Sequence, residues 1–172
     1  MARDNNFKLI IISIISLFIY FFSMCYFPDR AFSKSDDKNK LKTVINSMTA
    51  KEKLLGTHRF SIQWISWDYF GKAAVTEKEG VLYISGEQKS KENDDFIKME
   101  GVITEVNEKN FVFDGMITAK IYHLNAGKPY ERKGKMTFRI SLGRSYWRLR
   151  EMENPAGGGV VDYVDIFFDR GK

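Results

Sequence analysis

The chain has 172 residues, 44% of them hydrophobic and 28% charged, with a formal net charge of +5. Its single cysteine, Cys25, lies near the N-terminus, so disulfides, thiolate metal sites and cysteine catalysis are excluded from the rest of the chain. The positive charge is spread through alternating Lys and Glu. The nearest approach to a basic stripe, Arg144, Arg148 and Arg150, sits beside Glu151 and Glu153, so no nucleic-acid partner is expected.

Residues 1–33 read as an export segment. Arg3 and Lys8 precede residues 9–27, a run without a charged side chain that is long enough to cross a bilayer as a helix. Ala31-Phe32-Ser33 places small residues at the −3 and −1 positions of a cut before Lys34. Two readings stay open: a cleaved signal peptide, or an uncleaved anchor that ties the protein to the membrane. Both place the remainder in the cell envelope, as a periplasmic or extracellular domain. Met24 before Cys25 argues against lipoprotein processing, which needs a small residue there.

Residues 34–56 read as a polar linker followed by a short amphipathic helix. Leu41, Val44, Ile45 and Met48 recur at helical spacing, and Thr49-Ala50-Lys51-Glu52 has the form of a capping box. Gly56 is the expected stop, so the pattern predicts one helix, or two broken near Thr49. His58 then precedes the first strand and is expected to be exposed.

Residues 57–172 change to period-two texture. Phe60, Ile62 and Trp64 alternate with Ser61 and Gln63, and further strands are predicted over 72–76, 81–88, 96–106, 111–124, 135–142, 146–152 and 160–168. Each is joined to the next by a short connection such as Glu79-Gly80. About eight strands in sequence make an antiparallel meander, and a twisted meander of that length tends to curl and close. The predicted fold is therefore mainly β: a curled or closed, lipocalin-like barrel behind an N-terminal hydrophobic helix and a short amphipathic one. Glu100-Gly101, Asp114-Gly115 and Lys133-Gly134 put a glycine inside three successive strands, as sharp coiling would ask. The last strand is apolar on both faces and is expected to be covered on both sides, with the N-terminal helix as one candidate cover.

The chain lacks a motif for catalysis, and no cofactor is expected. Gly157-Gly158-Gly159 precedes a strand rather than a helix, and Gly143-Arg144-Ser145-Tyr146-Trp147 lacks the final glycine of a nucleophile elbow. His58 and His123 are too far apart for metal-ligand spacing. Asp162, Asp165, Asp169, Glu151 and Glu153 crowd the C-terminus without the alternate spacing of a calcium loop, so a solvated face is the plain reading. Asp165 differs, because Val161, Tyr163 and Phe167 share its face; pairing with Arg148 or Arg150 would satisfy it. Trp64, Trp67, Tyr69 and Phe70 cluster after the first strand, as the rim of an apolar cavity or as core packing with a turn. His123 is placed on the inner face, two residues after Ile121. Candidate ligand-binding residues are thus Trp64, Trp67, Tyr69, His123, Arg148 and Asp165.

The stretches Tyr146-Trp147-Arg148-Leu149-Arg150-Glu151-Met152, Asn154-Pro155 and Asp162-Tyr163-Val164-Asp165-Ile166, with Gly56-Thr57-His58-Arg59-Phe60 and Trp67-Asp68, resemble a recurrent pattern of small exported bacterial β-rich proteins. The resemblance covers most of residues 56–168 and brings no activity with it. Such proteins often carry cysteines near the positions of Tyr130 and Ala156; this chain has neither. The functional expectation is a non-enzymatic module outside the cytoplasm that binds a small apolar or amphipathic ligand inside the barrel. The alternative is a structural or interaction component of the envelope with a filled core.

Overall fold

The computed structural model describes residues 42–141 and 143–168. The apolar run, the linker and Asp169 lie outside the described residues, and so do the expectations that rest on them. Among the described residues no helix is long and apolar enough to cross a membrane.

The alternating segments form a single closed sheet. Strand β1 (Val44–Ile45) and helix α1 (Met48–Leu54) lead into β2 (Gly56–Ile62), β3 (Gly71–Lys78), β4 (Val81–Lys89) and β5 (Phe96–Val106). β6 (Asn110–Lys120), β7 (Tyr130–Arg139), β8 (Tyr146–Leu149) and β9 (Val164–Phe167) complete it. Each strand from β2 to β9 pairs antiparallel with the next, and β9 pairs with β2 through Phe60↔Ile166. The eight-strand meander is therefore a barrel with no free edge, and closure satisfies backbone groups that an open sheet would leave unpaired.

The region before β2 departs from expectation. Val44 and Ile45 do not continue a helix; they add to β5 as a parallel pair, Val44↔Glu105 and Ile45↔Val106. Their branched side chains suit a strand. Thr43 fixes the register by donating to the Ile103 carbonyl at 2.6 Å and accepting from the Leu82 amide at 2.9 Å. The helix cap is Ser47, whose hydroxyl accepts from the Ala50 amide, rather than Thr49. Ala50 and Leu54 are buried in the core cluster, so α1 closes one end of the barrel.

His58 is also not exposed. It lies within β2, is 2% exposed, and places Nε2 2.7 Å from the Leu54 carbonyl and Nδ1 3.1 Å from that of Phe167. The imidazole ties the end of α1 to β9. The last strand is covered on both sides as its composition implies, with Val164, Asp165 and Ile166 all fully buried. Its outer cover over Asp165 is the Arg148 side chain.

The lumen is filled by side chains. Phe60, Phe111, Phe113, Phe138 and Trp147 are all at most 3% exposed. Phe111 stacks on Phe138 at 5.1 Å between centroids and meets Trp147 at 5.8 Å, while Phe113 meets Phe138 edge-on at 6.3 Å. The three strand glycines stand in one row, Gly101↔Gly115↔Gly134. A Cβ on Gly101 would lie 2.6 Å from the Phe113 ring and 2.4 Å from the Asp114 carbonyl oxygen, and one on Gly115 would lie 2.6 Å from the same ring. Gly101 and Gly115 thus make room for the Phe113 ring.

It follows that Gly101→Ala should destabilise the fold by about 3 kcal/mol, since backbone as well as ring must shift. Gly134 has φ +97 with nothing within 4 Å of its Cβ position, so Gly134→Ala carries conformational strain alone, about 1 kcal/mol. Urea midpoints of the two variants separate these costs; equal midpoints would mean that the Phe113 ring moves aside freely.

Candidate functional site

The meander sends four connections to the end of the barrel opposite α1: residues 63–70, 90–95, 121–129 and 150–163. There the structure builds a buried polar cluster. Arg132 alternates into the lumen with Tyr130, Met136 and Phe138, and is 8% exposed. Its Nη2 lies 2.9 Å from Asp162 Oδ2 and also donates to the Glu153 carbonyl at 2.8 Å, while Nε donates to that of Glu151. The regular ladder of β8 stops at Leu149 instead of running to Met152, but the chain stays paired beyond it: the Asp162 amide donates to the Met152 carbonyl at 2.7 Å and Glu153 bridges Val161. Asp162 has no exposed surface. It accepts from Trp64 Nε1 at 2.8 Å and from Asn154 Nδ2 at 3.1 Å to each oxygen. Burial, and then the nearby Asp162 carboxylate, hold the Tyr130 hydroxyl well above its ordinary pKa.

The expectation of a solvated acidic face at the C-terminus therefore fails for Asp162, which lies inside and is matched by three side-chain donors. A buried carboxylate matched by donors from three parts of the chain holds the loops over the barrel mouth. Among the described residues no cluster of three or more His, Cys, Asp or Glu side chains is placed to hold a metal ion.

The six candidate residues do not meet in one place. Trp64 and His123 do meet, ring to ring at 5.4 Å, at the mouth. His123 is exposed there rather than on the inner face, because β6 ends at Lys120 and the chain has left the barrel wall. Trp67 is 52% exposed. Tyr69 is engaged in the loop: its hydroxyl accepts from the Lys91 amide at 3.0 Å and its carbonyl from Gln88 at 3.1 Å.

Arg148 and Asp165 lie elsewhere, on the outer wall of β8 and β9, and are paired as the sequence implies. Nε and Nη2 of the arginine each approach one carboxylate oxygen at 2.7 Å. The guanidinium sits between the rings of Tyr163 at 4.3 Å and Tyr146 at 5.1 Å. The Asp165 hydrogen bond, first among the causes, raises the Arg148 pKa further.

A separate open groove of about 980 Å³ lies at the α1 end, between α1, residues 108–109, β7 and the chain flanking β8. Lys53, Lys109, Arg139, Arg144 and Arg150 line it against one carboxylate, Glu108. Arg144 and Arg150 stand out in the sequence, but Lys109 and Arg139 do not, since nothing in their spacing shows that the barrel brings them together.

A family model described as the PM1083 family matches residues 42–168, which is the described barrel almost end to end. A protein of Pasteurella multocida (strain Pm70), "Uncharacterized protein PM1083", is 38% identical over 146 residues, covering 85% of this chain and 90% of the relative. No solved structure matches.

Proposed function

This chain belongs to the PM1083 family, and we propose that it works outside the cytoplasm as a non-catalytic binding module of the cell envelope that meets its partner with the outside of a filled barrel. The observation that carries this reading is the lumen. A lipocalin-like use of the barrel needs room for a ligand between the strands. Eight strands leave an interior that side chains can fill or one small ligand can occupy. Here Phe60, Phe111, Phe113, Phe138 and Trp147 take that space, with two glycines surrendering their side chains to one ring. Both mouths are also shut, one by Leu54 and His58, the other by the Arg132–Asp162 cluster. The location rests on the uncharged run at residues 9–27 and the small residues Ala31 and Ser33 after it.

Trp147 reports on the lumen, being 3% exposed and in contact with Phe111 and His58. A brominated fatty acid added to the purified chain is expected to leave the blue-shifted emission of this buried indole unquenched. Saturable quenching of that emission at one equivalent would place an apolar ligand inside the barrel and defeat the proposal.

A further inference from the structure

We infer that the open groove at the α1 end is a binding site for a ligand carrying two or more phosphate groups. The inference rests on the reading above, and gives the outer surface one ligand chemistry.

Several other surface cations of this protein are paired with carboxylates. Lys89 and Lys98 both reach Glu87, Lys133 reaches Glu131, and Lys51 reaches Glu77 at 2.8 Å. Some wall lysines are thus paired, while others, Lys72 and Lys135 among them, make no ion pair among the described residues. What sets the groove apart is the grouping of its cations. None of its five cations makes an ion pair among the described residues, although Glu108 is on the same wall. Grouping like charges in one concave place raises the fold's electrostatic energy and focuses a positive potential outward. Such an arrangement is restored to balance by an anion that enters.

The kind of anion follows from number and type. Three of the five are arginines, whose planar forks match the oxygens of phosphate or carboxylate two at a time. Among the described lining residues the net excess of four positive charges is more than one carboxylate can answer, whereas two phosphate groups at roughly −2 each would match it. The groove is also larger than one phosphate, so the groups must be spaced along an extended ligand. Its only ring among the described residues, Phe168, is packed on Trp147 at 4.4 Å with Lys53 4.9 Å above it, which leaves no free platform there for stacking a nucleobase. The recognised chemistry is the phosphates themselves. Two of the arginines are anchored from different sides: the Arg144 guanidinium donates to the Tyr146 hydroxyl, and the Arg150 backbone amide donates to the Thr137 carbonyl at 2.8 Å, which fixes where its side chain departs.

The test uses the full chain in neutral maltoside micelles, with sodium tripolyphosphate titrated in a calorimeter. Saturable binding is expected, weakening as salt is raised. Arg139→Ala with Arg150→Ala should weaken it about tenfold or more, since each lost charge-assisted contact is a large share of a small ligand's affinity. Both side chains are exposed, so thermal melting should be unchanged. Lys89→Ala with Lys98→Ala removes the same charge from the opposite wall and should leave binding intact. Cardiolipin, a lipid with two phosphate groups, doped into the micelles then identifies the source: competition with tripolyphosphate assigns a lipid headgroup, and no competition assigns a soluble phosphorylated ligand. Absence of binding, or equal weakening in both double variants, overturns the site. Neither result touches the lumen, which the Trp147 emission reads independently.

Discussion

Replacing Asp162 by Asn is expected to lower the melting temperature by roughly 10–20 °C, the equivalent of about 3–5 kcal/mol for a broken buried ion pair in a domain of this size. The carboxylate has no exposed surface and is the common acceptor for Arg132, Trp64 and Asn154. An amide of the same shape removes the charge that Arg132 was buried against and turns one acceptor into a donor facing other donors. Arg132 cannot retreat to water, because its remaining bonds run to the carbonyls of Glu151 and Glu153. Nor can an apolar pair repair the damage. Arg132→Met with Asp162→Leu would leave the Trp64 and Asn154 donors buried without an acceptor, so the double variant should melt no higher than Asp162→Asn. A double variant that recovers most of the stability would show that the cluster is a simple pair and not a network.

How much of this was legible in the sequence depends on where the information is held. The barrel was legible because alternation is local: Lys135, Thr137 and Arg139 face out while Met136 and Phe138 face in, and one strand is enough to see it. The same rule, carried back to Tyr130, would have turned Arg132 inward. The strand expected over 135–142 begins instead at Tyr130, so Arg132 lies outside the span in which alternation is read from sequence. Asp165 was recognisable from its apolar neighbours on one face, but Asp162 was not, since its partners Trp64, Arg132 and Asn154 come from three other parts of the chain. Val44 and Ile45 satisfied a helical period and a strand propensity alike, and only pairing with Glu105 and Val106 decided between them. The cationic groove is the extreme case. Lys109 comes from a turn, Arg139 from a strand end and Arg150 from a strand exit, and their meeting is a property of barrel closure.

The Arg148–Asp165 pair should behave oppositely to Asp162 when both partners are removed. Asp165→Asn alone is expected to cost about 3 kcal/mol, because it leaves the guanidinium, 18% exposed, without its counter-charge. Arg148→Met with Asp165→Leu should restore most of that loss. The described carboxylate contacts all come from Arg148, so no third donor is orphaned when the two leave together. The flanking rings of Tyr146 and Tyr163 would then pack on methionine and leucine, a surface as apolar as their own faces. Burying two charges in place of such a pair is often no gain in stability, since desolvation offsets the attraction. Thermal melts of the single and double variants close the cycle, and a double variant as unstable as Asp165→Asn would mean that the pair contributes through the tyrosine rings and not through its charges. The expected recovery would instead separate two uses of the same chemistry in one barrel: a network that seals the mouth, and a lone pair that covers the outer side of β9.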